Sequence, residues 1–180
     1  MFLEVKDIHF KYQPDTPVIS NVSYYADKGE VVAIIGPNGV GKTTLLMITA
    51  GLLKPEKGSV LVDGIDIFNN LPYIRRRIGF MFQNPDDQLF NPTVYDELAF
   101  SLRQLYSHDI VDRIINEFAG RIGIKDILDK PPYKLSIGEK KIVALASILI
   151  YDPDILLLDE PTSNLSMNSI RLIEKIILNE

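Results

Sequence analysis

Residues 31–44 read Val31-Val32-Ala33-Ile34-Ile35-Gly36-Pro37-Asn38-Gly39-Val40-Gly41-Lys42-Thr43-Thr44. The first five residues are apolar and mostly β-branched, which predicts a buried strand, and the apolar residues after Thr44 suit a packed helix. Between them, residues 36–43 match the phosphate-binding pattern G-x-x-x-x-G-K-[ST]. The sequence therefore predicts a strand, a glycine-rich loop and a helix that together bind phosphate. We call residues 36–43 the phosphate loop.

The residue types of the phosphate loop suit an anion. Unpaired amides and the macrodipole at a helix N-terminus favour negative charge, and glycine permits close approach and positive φ. Lys42 would reach the β- and γ-phosphates, and the Thr43 hydroxyl would bind the Mg²⁺ that accompanies a nucleotide. The alternative is a glycine-rich turn with a solvated lysine, but the strand before it and the helix after it favour phosphate. The amides expected to converge on the phosphates are those of Gly39, Gly41, Lys42, Thr43 and Thr44.

Composition sets limits on the class of protein. The chain has 180 residues, of which 46% are hydrophobic and 24% charged, as expected for one globular α/β domain. The net charge is −5 with no basic block, so no nucleic-acid partner is expected, and Arg75–Arg77 is interpreted as a solvated face. The absence of cysteine excludes disulfides and thiolate metal sites. The apolar runs are too short to cross a bilayer, so membrane association would require a partner.

Local patterns predict the order of the other elements. Alternating apolar residues and the Asp63-Gly64 turn indicate a β-rich first part, and 3.6-residue periodicity indicates helices in the second part. The face expected on the first of these helices includes Leu98, Leu102 and Tyr106. The predicted strands are residues 2–10, 18–25, 58–67 (as a hairpin), 78–82 and 154–159, and the predicted helices begin at Pro92 and cover 109–122, 136–150 and 167–178.

A second part of a phosphate site follows the apolar run Ile155-Leu156-Leu157-Leu158. The next residues are Asp159 and Glu160, which a buried strand would deliver at its C-terminal end, where ligands bind in open α/β sheets. Asp159 would hold Mg²⁺ directly or through water, and Glu160 would orient and deprotonate a water for attack on the γ-phosphate. Such a strand is commonly structural when it occurs alone. Downstream of a phosphate loop, the functional interpretation is favoured.

The segment Leu135-Ser136-Ile137-Gly138-Glu139, which we call the signature segment, permits two interpretations. Ser136 and Glu139 form an S-x-x-E capping box, which starts a helix and requires no ligand. Alternatively, the same helix N-terminus presents the Ser136 hydroxyl and the Gly138 amide to a phosphate on another subunit. The residues by themselves leave both interpretations open.

Taken together, these residues resemble the nucleotide-binding domain of ABC ATPases, in the family's order and over nearly the whole chain. The resemblance implies a P-loop NTPase of the α/β class with an N-terminal antiparallel β portion and a helical insertion at about residues 84–134, all within one domain (1–180). Tyr12 takes the position of the adenine-stacking aromatic, and Gln83 that of the glutamine that contacts Mg²⁺ and the attacking water. The implied catalytic residues are Glu160 and Gln83, the metal ligands Thr43, Gln83 and Asp159, and the nucleotide-binding residues Tyr12, Gly36, Asn38, Gly39, Gly41, Lys42, Thr43, Thr44, Ser136 and Gly138.

The resemblance also implies partners. Two ATP molecules would lie between the phosphate loop of one subunit and the signature segment of a second, identical or paralogous ABC ATPase in a head-to-tail dimer. The surface after Gln83 would contact transmembrane subunits, which predicts a cytoplasmic protein held peripherally at the inner face of the cell membrane. Residues 83–90 and 93–97 are similar to the ATPases of energy-coupling-factor importers for vitamins and for transition metals such as cobalt or nickel.

The chain also departs from the family pattern. Ile137 and Glu139 replace a glycine and a glutamine of the signature, and Ser166 replaces an aspartate in residues 163–166, which the family uses to cross the dimer interface. The family continues beyond the position of Glu180 through further strands and a γ-phosphate-sensing histidine, which predicts reduced turnover and an exposed, self-associating edge. The alternatives are a nucleotide-binding module or truncated fragment with little turnover, and a soluble ABC ATPase without a role in transport.

Overall fold

The computed structural model describes residues 1–178, in which six strands and six helices alternate with short 3₁₀ turns. By contact density the chain divides into an N-terminal unit, Met1–Ile78, and a C-terminal unit, Gly79–Glu180. The strands are β1 (Leu3–Gln13), β2 (Thr16–Ala26), β3 (Lys57–Val62), β4 (Ile65–Asp66), β5 (Ile78–Met81) and β6 (Ile155–Leu158). The helices are α1 (Lys42–Thr49), α2 (Leu71–Ile74), α3 (Val94–Leu102), α4 (His108–Ile122), α5 (Ile137–Leu149) and α6 (Met167–Leu178).

The N-terminal unit is built on an antiparallel sheet with the strand order β2-β1-β3-β4. Its centre is β1, whose Val5 and Ile8 are buried. Where β3 begins, Gly58 has φ +95°, and a Cβ there would lie 2.3 Å from the Lys6 carbonyl oxygen. Only glycine permits this close approach of two backbones, and the β1–β3 register shifts at the same place, between Lys6 and His9.

The predicted Asp63-Gly64 hairpin is confirmed. Both residues have positive φ, 54° and 76°, which is the conformation of a two-residue type I′ turn between β3 and β4. The predicted strands at residues 2–10 and 18–25 are also present; both are longer than expected, and a turn at residues 14–15 joins them. These turns were predictable because they depend on residues that are neighbours in sequence.

The prediction of a buried strand at residues 31–35 is wrong for the described structure. Residues 31–37 have no regular secondary structure, and Val31 and Ile35 are 91% and 90% exposed. A strand forms only where a neighbour satisfies its backbone amides and carbonyls, and none of β1–β4 pairs with this segment. The β-branched residues therefore favour a strand locally, but no strand of this unit pairs with them.

The C-terminal unit is mainly helical and encloses one apolar core between α3, α4, α5 and α6. The side chains of Thr93 and Ser136 accept hydrogen bonds from backbone amides in the first turns of α3 and α5, so these residues cap the two helices. At the end of α4, Gly123 takes the left-handed conformation. The predicted helices are present, but Tyr106 lies beyond the end of α3 and is largely exposed. Within residues 1–178, no helix combines the length and apolarity needed to cross a membrane.

The strands β5 and β6 form a separate two-stranded sheet. Where both strands end, the backbone amide of Asp159 donates to the carbonyl of Met81 at 3.0 Å. The residues that follow the two strands, Gln83 and Glu160, are thereby brought to the same end of the sheet. This alignment positions the candidate catalytic residues.

Candidate functional site

In the N-terminal unit, the phosphate loop leads directly into α1. Gly41 is the N-cap of α1 with φ 102°, and Gly39 has φ 80°. Gly41 provides no side chain to accept the first-turn amides of α1, and that turn contains no acidic residue. These features suit the N-terminus of α1 to an external anion, because backbone donors and the macrodipole favour negative charge there.

The Lys42 ammonium group is held against the loop. Its Nζ donates to the carbonyl oxygens of Gly36 at 2.9 Å and Pro37 at 3.0 Å. These acceptors are neutral, so a phosphate would offer the ammonium group a stronger, charge-assisted hydrogen bond. The geometry therefore keeps Lys42 beside the loop in the position from which it can bind a phosphate.

Tyr12, which belongs to β1, places its side chain beside the start of α1. Its hydroxyl oxygen is 3.2 Å from the Thr44 hydroxyl oxygen, and its ring packs edge-on against Phe10 with the centroids 4.9 Å apart. Tyr12 as a whole remains 62% exposed. An exposed aromatic face beside a phosphate loop is suited to stacking with a nucleotide base.

In the C-terminal unit, the structure brings the two predicted catalytic residues together. Gln83 Nε2 donates to Glu160 Oε2 at 2.7 Å, although the two residues are 77 positions apart. Glu160 adopts φ 46°, which is uncommon for a residue with a side chain. The amide therefore orients the carboxylate that the sequence assigned to water activation.

The predicted metal ligands are divided between the units: Thr43 belongs to the first, and Gln83 and Asp159 to the second. Asp159 is only 4% exposed. Hydroxyl, amide and carboxylate oxygens are the donors that Mg²⁺ prefers, so the residue types fit this ion. Within residues 1–178, no group of three or more histidine, cysteine or acidic residues is arranged to hold a metal ion.

The capping-box interpretation of the signature segment is confirmed. The Ser136 amide and hydroxyl donate to Glu139 Oε2 at 2.8 and 2.7 Å, and the Glu139 amide donates to Ser136 Oγ at 3.3 Å. These hydrogen bonds from Ser136 hold the pKa of the Glu139 carboxyl below its ordinary value, and Lys130 contributes in the same direction. The Glu139 carboxylate therefore points toward Ser136 at the N-terminus of α5.

Gly138 packs against the beginning of α6. A Cβ at this position would lie 2.8 Å from Ser169 Oγ. A side chain at this position would therefore displace the Ser169 hydroxyl. Ile137, which replaces the first signature glycine, is 45% exposed and meets no such restriction.

Sequence reasoning missed Lys141, which is only 2% exposed. Its Nζ donates to the Glu160 carbonyl at 2.8 Å, to Ser163 Oγ at 2.9 Å and to the Ser163 carbonyl at 3.1 Å. A signal was present, because Lys141 stands at helical spacing with Leu145 and Ile148 on a buried face of α5. A lysine is almost never fully buried unless it has partners.

Gln88 was also missed, and it ties the segment after Gln83 to α5. Its Nε2 donates to the Ala144 carbonyl at 2.8 Å and to Ser147 Oγ at 3.1 Å, and its Oε1 accepts from the Phe82 amide at 3.3 Å. Nothing in the local sequence separates this glutamine from a solvated one. Its two acceptors on α5 lie 56 and 59 positions further along the chain.

Comparison with known proteins identifies the family. The family model described as ABC transporter matches residues 19–163. The energy-coupling factor transporter ATP-binding protein EcfA2 of Methanospirillum hungatei is 43% identical over 167 residues, covering 91% of this chain and 42% of that protein. The corresponding EcfA of Methanocaldococcus jannaschii is 41% identical over 167 residues, covering 91% of this chain and 60% of that protein.

A solved structure shows the same fold. The chain matches cbiO1 of Clostridium perfringens, part of the ABC transporter complex cbiONQ, with a TM-score of 0.85 and 35% identity, over 99% of this chain and 72% of that one. The chain spans 42% and 60% of the lengths of the two relatives above. The family match nevertheless includes the phosphate loop, the signature segment and both carboxylates. The chain therefore belongs to the ABC transporter family and has the fold of its ATP-binding subunits.

Proposed function

We propose that this chain is the ATP-binding and ATP-hydrolysing subunit of an importer of the energy-coupling-factor type. The observation that carries the proposal is the hydrogen bond from Gln83 to Glu160, because it pairs a candidate general base with a group that orients it. The phosphate loop and Tyr12 provide features suited to nucleotide binding in the other unit. The names of EcfA2, EcfA and cbiO1 support the transport role.

In the proposed reaction, Lys42 and the amides at the start of α1 bind the phosphates, and Tyr12 stacks on the adenine. Glu160 accepts a proton from a water molecule while the oxygen of that water attacks the γ-phosphorus. The bond between the γ-phosphorus and the oxygen of the β-phosphate breaks, which releases ADP and phosphate. Gln83 holds the carboxylate of Glu160 toward that water. Thr43, Gln83 and Asp159 would hold Mg²⁺, which neutralises charge on the phosphates when it is bound.

We further propose that a second ABC ATPase, identical or paralogous, completes each nucleotide site through Ser136 and Gly138. Both residues are at the N-terminus of α5, where backbone donors favour an anion. The Ser136 hydroxyl now donates to Glu139, so binding to a phosphate would exchange that hydrogen bond for one to the nucleotide. ATP would therefore compete with Glu139 for the Ser136 hydroxyl proton and leave the two amide hydrogen bonds of the capping box in place.

Residues 84–90, after Gln83, are the proposed contact with transmembrane subunits. Phe90 is exposed and packs edge-on against Phe100, with the ring centroids 5.1 Å apart, so the segment ends in an apolar surface. Such a contact would place the chain peripherally on the cytoplasmic face of the membrane. Recovery with membrane subunits after gentle solubilisation would support this assignment, and recovery only with soluble partners would contradict it.

The second candidate is a nucleotide-binding module with little turnover. The closed capping box favours it, because Glu139 occupies the hydroxyl of Ser136 and Ile137 replaces a signature glycine. A soluble ABC ATPase without a transport role is the third candidate. Both alternatives retain the phosphate loop, so nucleotide binding alone does not separate them from the importer subunit.

The decisive experiment compares phosphate release and ATP binding in Lys42→Ala, Glu160→Gln and the exposed control Glu174→Gln. We expect Lys42→Ala to abolish binding, and Glu160→Gln to bind ATP while losing about 10²-fold or more in kcat, because it loses the general base. Glu174→Gln should behave as the wild type. If Glu160→Gln leaves phosphate release unchanged while Lys42→Ala abolishes binding, the hydrolytic assignment fails and the binding-module alternative stands.

A further inference from the structure

Lys141 is a buried charged residue to which the proposed chemistry assigns no role. We propose that Lys141 is a positioning residue that holds the backbone of Glu160 so that its carboxylate meets Gln83. This inference rests on the proposed function, because it assigns a task to the same site. It is carried by the hydrogen bonds around the Glu160 carbonyl and by the connections of α5.

The Glu160 carbonyl oxygen accepts three hydrogen bonds. The donors are Lys141 Nζ at 2.8 Å, Ser163 Oγ at 3.0 Å and the Ser163 amide at 3.1 Å. Lys141 also binds both oxygens of Ser163. The ammonium group therefore closes the turn formed by residues 160–163 and determines the direction of the Glu160 carbonyl.

The backbone at Glu160 needs such support. Its φ of 46° lies in the left-handed region, which a residue with a Cβ occupies only where the surroundings hold it there. The carbonyl and the side chain of Glu160 share one Cα atom, so holding the carbonyl also directs the carboxylate. At its other end, that carboxylate meets Gln83 Nε2 at 2.7 Å.

A charged group is costly at this position. Burial lowers the pKa of Lys141, while the negative charges of Glu160 and Asp159 act in the opposite direction. An apolar side chain would fill the space on α5 without this desolvation cost, but it could not donate to the three oxygen atoms. The geometry therefore matches a requirement for donors more closely than a requirement for packing.

Helix α5 also supports Gln83, the residue that meets the Glu160 carboxylate. Gln88 donates hydrogen bonds to Ala144 and Ser147 of α5. Its side-chain oxygen also accepts a hydrogen bond from the amide of Phe82, the residue before Gln83. One helix thus supports both Gln83 and Glu160 from positions less than two turns apart. Because a helix is rigid over that distance, Lys141 and Gln88 together determine whether the amide and the carboxylate meet.

The first test measures kcat, KM for ATP and thermal unfolding in Lys141→Met, Lys141→Arg and the control Lys175→Met, an exposed lysine on α6. Methionine keeps a long side chain and removes the donors. We expect Lys141→Met to lower kcat by about 10- to 100-fold, because misplaced catalytic groups cost this much, with KM changed by less than about threefold. Lys141→Arg should recover part of the loss, and Lys175→Met should match the wild type.

The second test asks whether Lys141 acts through Glu160. In a Glu160→Gln background, Lys141→Met should cause no further loss of kcat, because the group that it positions is already inactive. Wild-type kcat in Lys141→Met, or an equal further loss in the Glu160→Gln background, would overturn the proposal. If Lys141→Met does not fold, Ser163→Ala can replace it, because this variant removes one acceptor of Lys141. Ser163→Ala should lower kcat by a smaller factor, and it should cause no further loss of kcat in the Glu160→Gln background.

The third test separates this inference from the proposed function. Hydrogen exchange in the chain without nucleotide should be faster at the Ser163 amide in Lys141→Met than in the wild type, and unchanged in β1–β3. Unchanged exchange at Ser163 would overturn the positioning role. If the wild type does not hydrolyse ATP, the proposed function fails, and the exchange result still decides whether Lys141 holds the turn.

Discussion

Gln83 and Glu160 are joined by a 2.7 Å hydrogen bond between an amide nitrogen and a carboxylate oxygen. Each residue follows the end of a different strand, β5 or β6, and the bond from the Asp159 amide to the Met81 carbonyl keeps those ends aligned. The proposed catalytic pair therefore depends on strand pairing. Four consequences of the geometry can be tested by substitution.

Replacing Gln83 by alanine should reduce catalysis more than binding. We expect Gln83→Ala to lower kcat by about 10²-fold, because the Glu160 carboxylate loses the donor that orients it. ATP affinity should change by less than about threefold. Steady-state kinetics with a separate binding titration would measure both quantities. The exposed residue Gln104 supplies the control Gln104→Ala, and an equal loss of kcat in both variants would contradict the prediction.

Gly41 should tolerate no side chain. Its φ of 102° disfavours any L-residue, and a Cβ would lie 3.1 Å from Val18 Cγ1 and 3.2 Å from the Val18 carbonyl oxygen. Gly29 has φ +75° with no atom within 4 Å of such a Cβ, so Gly29→Ala measures the backbone cost alone, about 1 kcal/mol. Gly41→Ala should cost more in urea unfolding and should also weaken ATP binding. Equal costs would show that the Val18 contact is unimportant.

The ring of Tyr12, rather than its hydroxyl, should determine nucleotide affinity. Tyr12→Phe removes the contact with Thr44 but keeps the exposed aromatic face, so ATP affinity should stay within about threefold of the wild type. Tyr12→Ala should weaken binding by about tenfold, because stacking on a base contributes about 1–3 kcal/mol. A fluorescent ATP analogue would report both changes. Equal losses in the two variants would assign the effect to the hydroxyl.

The capping box should contribute to stability in a pH-dependent way. The folded-state pKa of Glu139 is lowered, so its contribution is fully present above its ordinary value of 4.5 and is lost as the pH falls through the folded-state pKa. Ser136→Ala should cost about 1 kcal/mol at neutral pH in urea unfolding.

The difference between Ser136→Ala and the wild type should narrow as the solution is acidified through that range. The distant substitution Ser59→Ala, in the sheet of the N-terminal unit, provides a control whose cost should not follow this pH dependence. A cost of Ser136→Ala that is independent of pH would show that the Glu139 carboxylate takes no part in the cap.

Features that depend on neighbouring residues were predictable. The type I′ turn at Asp63-Gly64, the Ser136–Glu139 capping box and the periodicity of α3 to α6 all arise from contacts within a few positions of the chain. The glycines of the phosphate loop and the helix that follows it belong to the same class, because both depend on adjacent residues. The resemblance to ABC ATPases, which the family match confirms, rested on such segments and their order.

Features that depend on distant residues were predicted poorly or not at all. Residues 31–35 have the composition of a buried strand, but burial requires a partner strand, and none of β1–β4 provides one. Lys141 and Gln88 were missed because their acceptors lie 19 to 59 positions away. The packing of Gly138 on Ser169 likewise depends on how α5 and α6 meet.

By itself, the sequence determined which chemical groups this protein contains and in what order: a phosphate loop, Gln83, a signature segment and two carboxylates. Short-range hydrogen bonds and helical periodicity depend on residues that are close together in the chain, so these features could be predicted without the fold. Only the tertiary structure decided that Gln83 meets Glu160 and that Lys141 holds the Glu160 carbonyl. Those contacts arise from the pairing of strands and the packing of α5, which a one-dimensional pattern does not specify.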